Sequence, residues 1–157
     1  MNRPALNQPA GEDVAFGEIA SSLGFLLRLA QVKVFNEFFR RLSRHGLKPG
    51  EFTMLWVIGL NPEVRQGVIA RKLRIKPAHM TKLVQRAVDE GRLERHVPDD
   101  DRRSVHLRLT AEGERFVETN KPEFLDFLEK EKTNLTETEF RTLIGLLQKF
   151  NGMEDAR

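Results

Sequence analysis

The 157-residue chain contains no cysteine, no tyrosine and a single tryptophan. Without cysteine, disulfides, thiolate metal ligands, cysteine nucleophiles and thiol redox sensors are excluded. The chain has no apolar run approaching the roughly 18 residues of a membrane span. Its opening residues, MNRPALNQPAGED, lack the apolar core of a secretory signal and read as a short flexible tail. We therefore expect no contact with a membrane and a cytoplasmic location.

Recognisable catalytic and metal-binding signatures are also missing. The G-x-S-x-G, Walker, Rossmann and zincin motifs do not occur. The four histidines, His45, His79, His96 and His106, form no H-x-x-x-H pair on one helix face. His96 and His106 can approach each other across a predicted hairpin, but no further ligands accompany them. We expect a protein that is not an enzyme and has neither a metal site nor a cofactor.

Positive charge is concentrated in the middle of the chain. Residues 65–110 contain 12 Lys or Arg and 6 Asp or Glu, whereas residues 111–157 contain 7 basic and 11 acidic residues. The net charge of the whole chain is only +3. A basic module between neutral and acidic flanks is typical of a surface that faces a polyanion, although a solvated charged face gives the same pattern.

The flanking segments are strongly apolar helices. Residues 15–44 carry an apolar stripe at three- and four-residue steps, and further phenylalanines lie off that stripe. Residues 136–150 carry a second stripe, which begins with a capping box formed by Thr136 and Glu139. A helix with this much apolar surface cannot be a solvated helix of a small monomer. The pattern therefore predicts that both helices form a homodimer interface.

Between these flanks, the period of the apolar residues predicts three short helices and a hairpin. The helices cover residues 49–60, 65–73 and 77–90, and Gly91 ends the third. After Gly91 the period changes from 3.6 to 2 in RLERHV and SVHLRL, two strands that are joined by PDDDRR. Thr110 then caps a helix that runs to about residue 132, with Pro122 inside it. The side chains expected to be buried in the hairpin are Leu93, Val97, Val105, Leu107 and Leu109.

This order of elements predicts a mainly α winged helix-turn-helix. We expect a tail over residues 1–14, a dimerisation region over 15–46 and 111–152, and a DNA-binding lobe over 47–110. The helix over 77–90 would enter the major groove of DNA. An ordinary amphipathic helix with a polar outer face is the alternative. Residues expected on the DNA side, where they can reach base edges or phosphates, are Lys76, Pro77, Ala78, His79, Thr81, Lys82, Gln85 and Arg86.

The hairpin tip carries an arginine pair next to three acids. A tip beside a recognition helix lies near the adjacent minor groove, which suits a guanidinium. We expect Arg103 to insert there, Asp101 to hold its orientation, and Arg102 to contact phosphate. A solvated turn with incidental ion pairs is the alternative for the loop taken alone.

The stretch DDRRSVHLRLTAEG resembles the wing signature of the MarR (multiple antibiotic resistance regulator) family, D-x-R-x-x-x-L-x-L-T-x-x-G. The matching residues are Asp101, Arg103, Leu107, Leu109, Thr110 and Gly113. Lys48 and Lys76 depart from the family, which more often has Ser, Thr or Asp where these helices begin. The resemblance implies a homodimeric transcription factor, usually a repressor, whose affinity for a pseudo-palindromic DNA operator changes when a small molecule binds.

The effector implied by this resemblance is an aromatic carboxylate, a phenol or an aromatic acyl-CoA thioester. Aromatic rings for stacking and arginines for a carboxylate suit such a ligand. The candidate residues are Arg28, Phe39, Arg40, His45 and Trp56, with a core or solvated role as the alternative for each. The competing function is a helical protein-interaction adaptor that has a winged-helix core and does not bind DNA.

Overall fold

The computed structural model describes residues 14–42, 46, 48–98, 104–130 and 134–153. The chain divides into two compact units, residues 1–34 and 35–157. In the first unit, a 3-10 helix, Gly17–Ser21, precedes helix α1, Leu23–Leu42, which continues into the second unit. The single helix predicted over 15–44 is therefore wrong at its start, because Ser22 has an extended backbone that separates the two helices.

The second unit contains the elements of a winged helix. They are α2 (Pro49–Leu60), β1 (Val64–Arg65), α3 (Gln66–Lys72), α4 (Pro77–Asp89), β2 (Leu93–His96), β3 (His106–Leu109), α5 (Ala111–Lys130) and α6 (Glu137–Phe150). The strands form an antiparallel sheet in the order β1-β3-β2. The predicted class, a mainly α winged helix-turn-helix, is confirmed. Strand β1 was not predicted, because two residues are too few to show a period of 2. Within the described ranges, no helix is both long and apolar enough to cross a lipid bilayer.

The core of the second unit lies between the helices and the sheet. Its fully buried side chains come from α2, α3, α4 and the two hairpin strands, and include Met54, Leu55, Ile58, Ile69, Met80, Val84, Leu93 and Leu107. One expectation of burial is wrong. Val97 is 47% exposed because it lies beyond the last paired residue of β2.

The predicted helix ends are supported by the expected contacts. Gly91 follows α4 with φ +69°, a conformation that favours glycine. The backbone N–H of Gly113 donates to Oγ1 of Thr110 at 3.0 Å, which confirms the cap of α5. Thr136 and Glu139 form both bonds of the capping box of α6. Pro122 lies inside α5, which continues past it.

Candidate nucleic-acid interface

Helices α3 and α4 form the helix-turn-helix. The chain turns through Arg74, which has φ +55°, and the N–H of Ile75 donates to the carbonyl of Ala70 at 2.9 Å. Helix α4 buries one face against the core through Met80, Leu83, Val84 and Ala87. The opposite face is therefore left to solvent. All eight residues predicted for the DNA side are exposed, namely Lys76, Pro77, Ala78, His79, Thr81, Lys82, Gln85 and Arg86.

The start of α4 combines a lysine with free backbone amides. Lys76 occupies the N-cap with an extended backbone, and its side chain makes no capping bond. Lys48 occupies the N-cap of α2 in the same way. The first amides of a helix have no partner within the helix, and the helix dipole makes this end positive. A phosphate placed there would accept from these amides and neutralise the lysine.

Two polar side chains on the exposed face of α4 have partners within the protein. The hydroxyl of Thr81 donates to the carbonyl of Pro77 at 3.0 Å and accepts from Nε2 of Gln66 at 3.4 Å. Oε1 of Gln85 accepts from Nη1 of Arg95 in β2 at 2.9 Å. Nε2 of Gln85 donates to Oδ1 of Asp89 at 2.7 Å. The orientation of both side chains therefore depends on residues in other elements as well as on α4.

A buried carboxylate anchors α4 to α2. Glu51 is 2% exposed, and its oxygens lie 3.5 Å from Arg86 and 3.3 Å from Arg92. Arg92 also pairs with Glu90 at 2.6 Å and covers the ring of Phe116. Burial, and next the negative charge of Glu90, raise the pKa of Glu51 above its ordinary value, although the nearby cations oppose this shift. The guanidinium of Arg86, one of the eight exposed residues predicted for the DNA side, is thus held by Glu51.

The hairpin presents two rows of charged or titratable side chains on one face. His96 lies opposite His106, and Glu94 lies opposite Arg108. Arg108 pairs with Glu94 at 2.6 Å and with Glu63 at 3.6 Å. In the part of the chain that the structure describes, no three His, Asp or Glu side chains converge to hold a metal ion. The hairpin tip with Asp101, Arg102 and Arg103 lies outside the described residues.

The predicted effector residues come from several parts of the chain. Arg28 belongs to the first unit, and His45 lies outside the described residues. Arg40 is held by Glu37 at 2.5 Å, and Phe39 is exposed. Trp56 lines a cavity of about 300 Å³ between α2 and α5, whose other lining residues are Gly59, Leu60, Leu109, Glu114, Val117, Glu118 and Lys121.

Three residues of this region were missed in the sequence. Arg95 could have been identified from the alternation of β2. That alternation places it on the same face as Leu93, which is the face on which α4 packs. Thr81 lies 15 residues from Gln66, and Arg92 lies 41 residues from Glu51 in the chain, so only the folded structure brings these partners together.

A helix-turn-helix whose second helix has an exposed, cation-rich face, followed by a β-hairpin, defines a winged-helix DNA-binding protein. The family model of the MarR family matches residues 45–104. A putative transcriptional regulatory protein for the hcr operon of Thauera aromatica is 30% identical over 146 residues, which cover 90% of this chain and 88% of that protein. The chain therefore belongs to the MarR family of transcriptional regulators.

Solved structures agree with this assignment. The transcriptional repressor CouR, bound to a 23-mer DNA duplex, matches with a TM-score of 0.78 and 27% identity, covering 88% of this chain and 98% of that one. BpsR of Bordetella bronchiseptica, whose DNA binding is regulated by 6-hydroxynicotinic acid, matches with a TM-score of 0.75 and 22% identity. That match covers 81% of this chain and 96% of BpsR, and it shows a shared fold.

Proposed function

We propose that the protein is a repressor that binds a pseudo-palindromic operator as a homodimer and releases it when a small aromatic acid, or its thioester, binds. The main support for DNA binding is the outward face of α4, where eight polar, small or cationic residues are all exposed. Phosphates bind the cations, while Thr81, Gln85 and His79 reach base edges in the major groove.

The homodimer is supported by apolar surface that the chain leaves exposed. None of the residues of α6, all of which the structure describes, is buried. Leu143, Ile144, Leu146 and Phe150 on that helix are each at least 40% exposed. An exposed apolar patch of this kind is typical of an interface. A two-fold dimer would present two α4 helices to successive major grooves, about one helical turn apart.

The wing is assigned by the match to the signature of the family. Arg103 enters the minor groove, Asp101 orients it and Arg102 contacts phosphate.

The test is a selection from a random duplex library, followed by anisotropy titrations of the selected duplex at several salt concentrations. The wild-type protein should prefer the selected duplex, and its affinity should fall steeply with salt. Arg103→Ala should weaken binding by about tenfold or more while the melting temperature stays unchanged. Equally weak binding to selected and random duplexes, with little salt dependence, would instead indicate the adaptor.

For the effector we propose the cavity beside Trp56. Nζ of Lys121 lies 5.5 Å from the centre of the Trp56 ring, so that an aromatic acid could stack on the indole with its carboxylate beside the ammonium. Glu114 and Glu118 also line the cavity, and Nζ of Lys121 pairs with Glu118 at 3.7 Å, so the carboxylate must replace Glu118 beside the ammonium. BpsR, a protein of the same fold, is regulated by an acid of this class.

Trp56 is the only tryptophan of the chain, so its fluorescence reports on this cavity directly. Titration with aromatic carboxylates and their CoA thioesters should quench the fluorescence over the same concentration range that releases DNA. Lys121→Met should raise that concentration about tenfold, as expected when an acid loses a charged partner. Release of DNA with unchanged Trp56 fluorescence would place the effector elsewhere.

A further inference from the structure

The amide of Gln85 is held at both ends. Arg95, on the strand that follows α4, donates to Oε1, and Asp89, one turn further along α4, accepts from Nε2. A guanidinium can only donate and an ionised carboxylate can only accept. Rotation of the amide by 180° would therefore set donor against donor and acceptor against acceptor. The two neighbours together select a single orientation of the Gln85 amide.

This orientation leaves a defined hydrogen-bonding pattern for a ligand. A primary amide has two N–H donors and an oxygen with two lone pairs. Asp89 uses one donor and Arg95 uses one lone pair. One N–H of Nε2 and one lone pair of Oε1 remain, on two atoms that are bonded to the same carbon. In the major groove adenine offers the acceptor N7 beside the donor N6, whereas guanine offers the two acceptors N7 and O6. The remaining pattern of Gln85 complements adenine at both atoms and guanine at one.

We propose that Arg95 is a specificity-determining residue that selects adenine at one position of the operator by orienting Gln85 without touching the base. The proposal rests on the proposed function, in which α4 enters the major groove. Asp89 acts in the same way from the other end of the amide.

Thr81, one turn before Gln85, also has free groups that suit an A·T pair. Its hydroxyl proton is used by the carbonyl of Pro77, and Gln66 occupies one of its lone pairs. The groups that remain are a methyl group and one lone pair. The methyl group suits contact with the methyl group of thymine, the partner base of adenine. Internal hydrogen bonds thus occupy part of both Thr81 and Gln85, and the groups that remain suit an A·T pair.

The test measures base preference as well as affinity. The selected operator and variants with each base pair exchanged in turn are titrated with the wild-type protein, Arg95→Ala, Asp89→Ala and Gln85→Ala. Arg108→Ala is the matched variant, because it removes the same charge from the same hairpin but contacts Glu94 and Glu63 instead of Gln85. Melting temperatures confirm that each variant is folded.

We expect Arg95→Ala to reduce the preference for adenine over guanine at one position about fivefold, the size of one ordinary hydrogen bond. Arg108→Ala should leave this preference unchanged. Asp89→Ala should also reduce it, although the loss of a negative charge raises affinity for every duplex. In the Gln85→Ala background, Arg95→Ala should change the preference no further.

The proposal is overturned if Arg95→Ala weakens binding to all duplexes equally and keeps the base preference, since Arg95 would then act on a phosphate. It is also overturned if Asp89→Ala only raises affinity. Failure of the proposed function itself has a different signature, in which the wild-type protein does not distinguish the selected operator from random DNA.

Discussion

Gly113, in the first turn of α5, packs directly against the backbone carbonyl of Arg92. A Cβ atom at position 113 would overlap the oxygen of that carbonyl, which also accepts the N–H of Thr110 at 3.1 Å. Oγ1 of Thr110 donates to the carbonyl of Gly91 at 2.6 Å and accepts the N–H of Gly113. The Thr-x-x-Gly part of the wing signature is therefore a clasp that joins the start of α5 to the start of β2.

The clasp predicts that Gly113→Ala is destabilising. Since the added methyl group meets backbone, α5 and β2 must separate, and we expect a loss of about 3 kcal/mol in the free energy of unfolding. Gly50→Ala is the matched variant, because Gly50 is also helical but has open space around its Cβ position. It should be neutral or stabilising by up to about 1 kcal/mol. Urea unfolding measures both, and similar stabilities of the two variants would contradict the clasp.

Buried Glu51 predicts an unusual pH dependence. Because burial raises its pKa in the folded protein, the folded state holds the proton more tightly than the unfolded state. The contribution of Glu51 to the free energy of unfolding is therefore greatest at low pH and falls as the pH rises from its ordinary pKa, 4.5, through the raised pKa.

Urea unfolding between about pH 4 and pH 7, compared with Glu51→Gln, isolates this effect. The difference in the free energy of unfolding, wild type minus variant, should decrease as the pH rises. A difference that grows with pH would mean that Arg86 and Arg92 dominate and that the pKa of Glu51 is lowered.

The exposed face of α4 predicts different roles for Gln85 and Lys82. Gln85→Ala should relax the base preference, because it removes the amide that we propose reads a base edge. Lys82→Ala should weaken binding to all sequences alike and reduce the slope of log affinity against log salt by about 1. Anisotropy titrations over a salt series separate the two effects. Equal effects of both variants on base preference would contradict the assignment.

The exposed face of α6 predicts a dimer that a single substitution weakens. Leu146 is 60% exposed, and two-fold symmetry places each substitution in the interface twice. Leu146→Ser should therefore raise the dimer dissociation constant about a hundredfold, taking about 1.5 kcal/mol for each of the two lost side chains. Val97→Ser, an exposed residue of the hairpin, should leave the constant unchanged. Sedimentation equilibrium measures both. A wild-type monomer at micromolar concentration would rule out this interface.

The local elements of the fold could be predicted from the sequence because they depend on short-range periodicity. Apolar residues at helical spacing placed α2 and α4 to within a residue. The change to a period of 2 after Gly91 identified the hairpin. The sequence motif at Thr110 and Gly113 was recognisable, but its physical reason, the carbonyl of Arg92, was not.

The contacts that set the interface were decided by the tertiary structure alone. The bond from Arg95 to Gln85 depends on how β2 packs beside α4, and the grouping of Glu51 with Arg86 and Arg92 spans 41 residues. Strand β1 exists because Val64 meets Leu107. The sequence alone determined which residues of α4 are exposed, since that pattern is repeated every few residues. The pairing of polar side chains was decided only by the tertiary structure. Such pairs join residues that are far apart in the sequence, so they produce no periodic pattern.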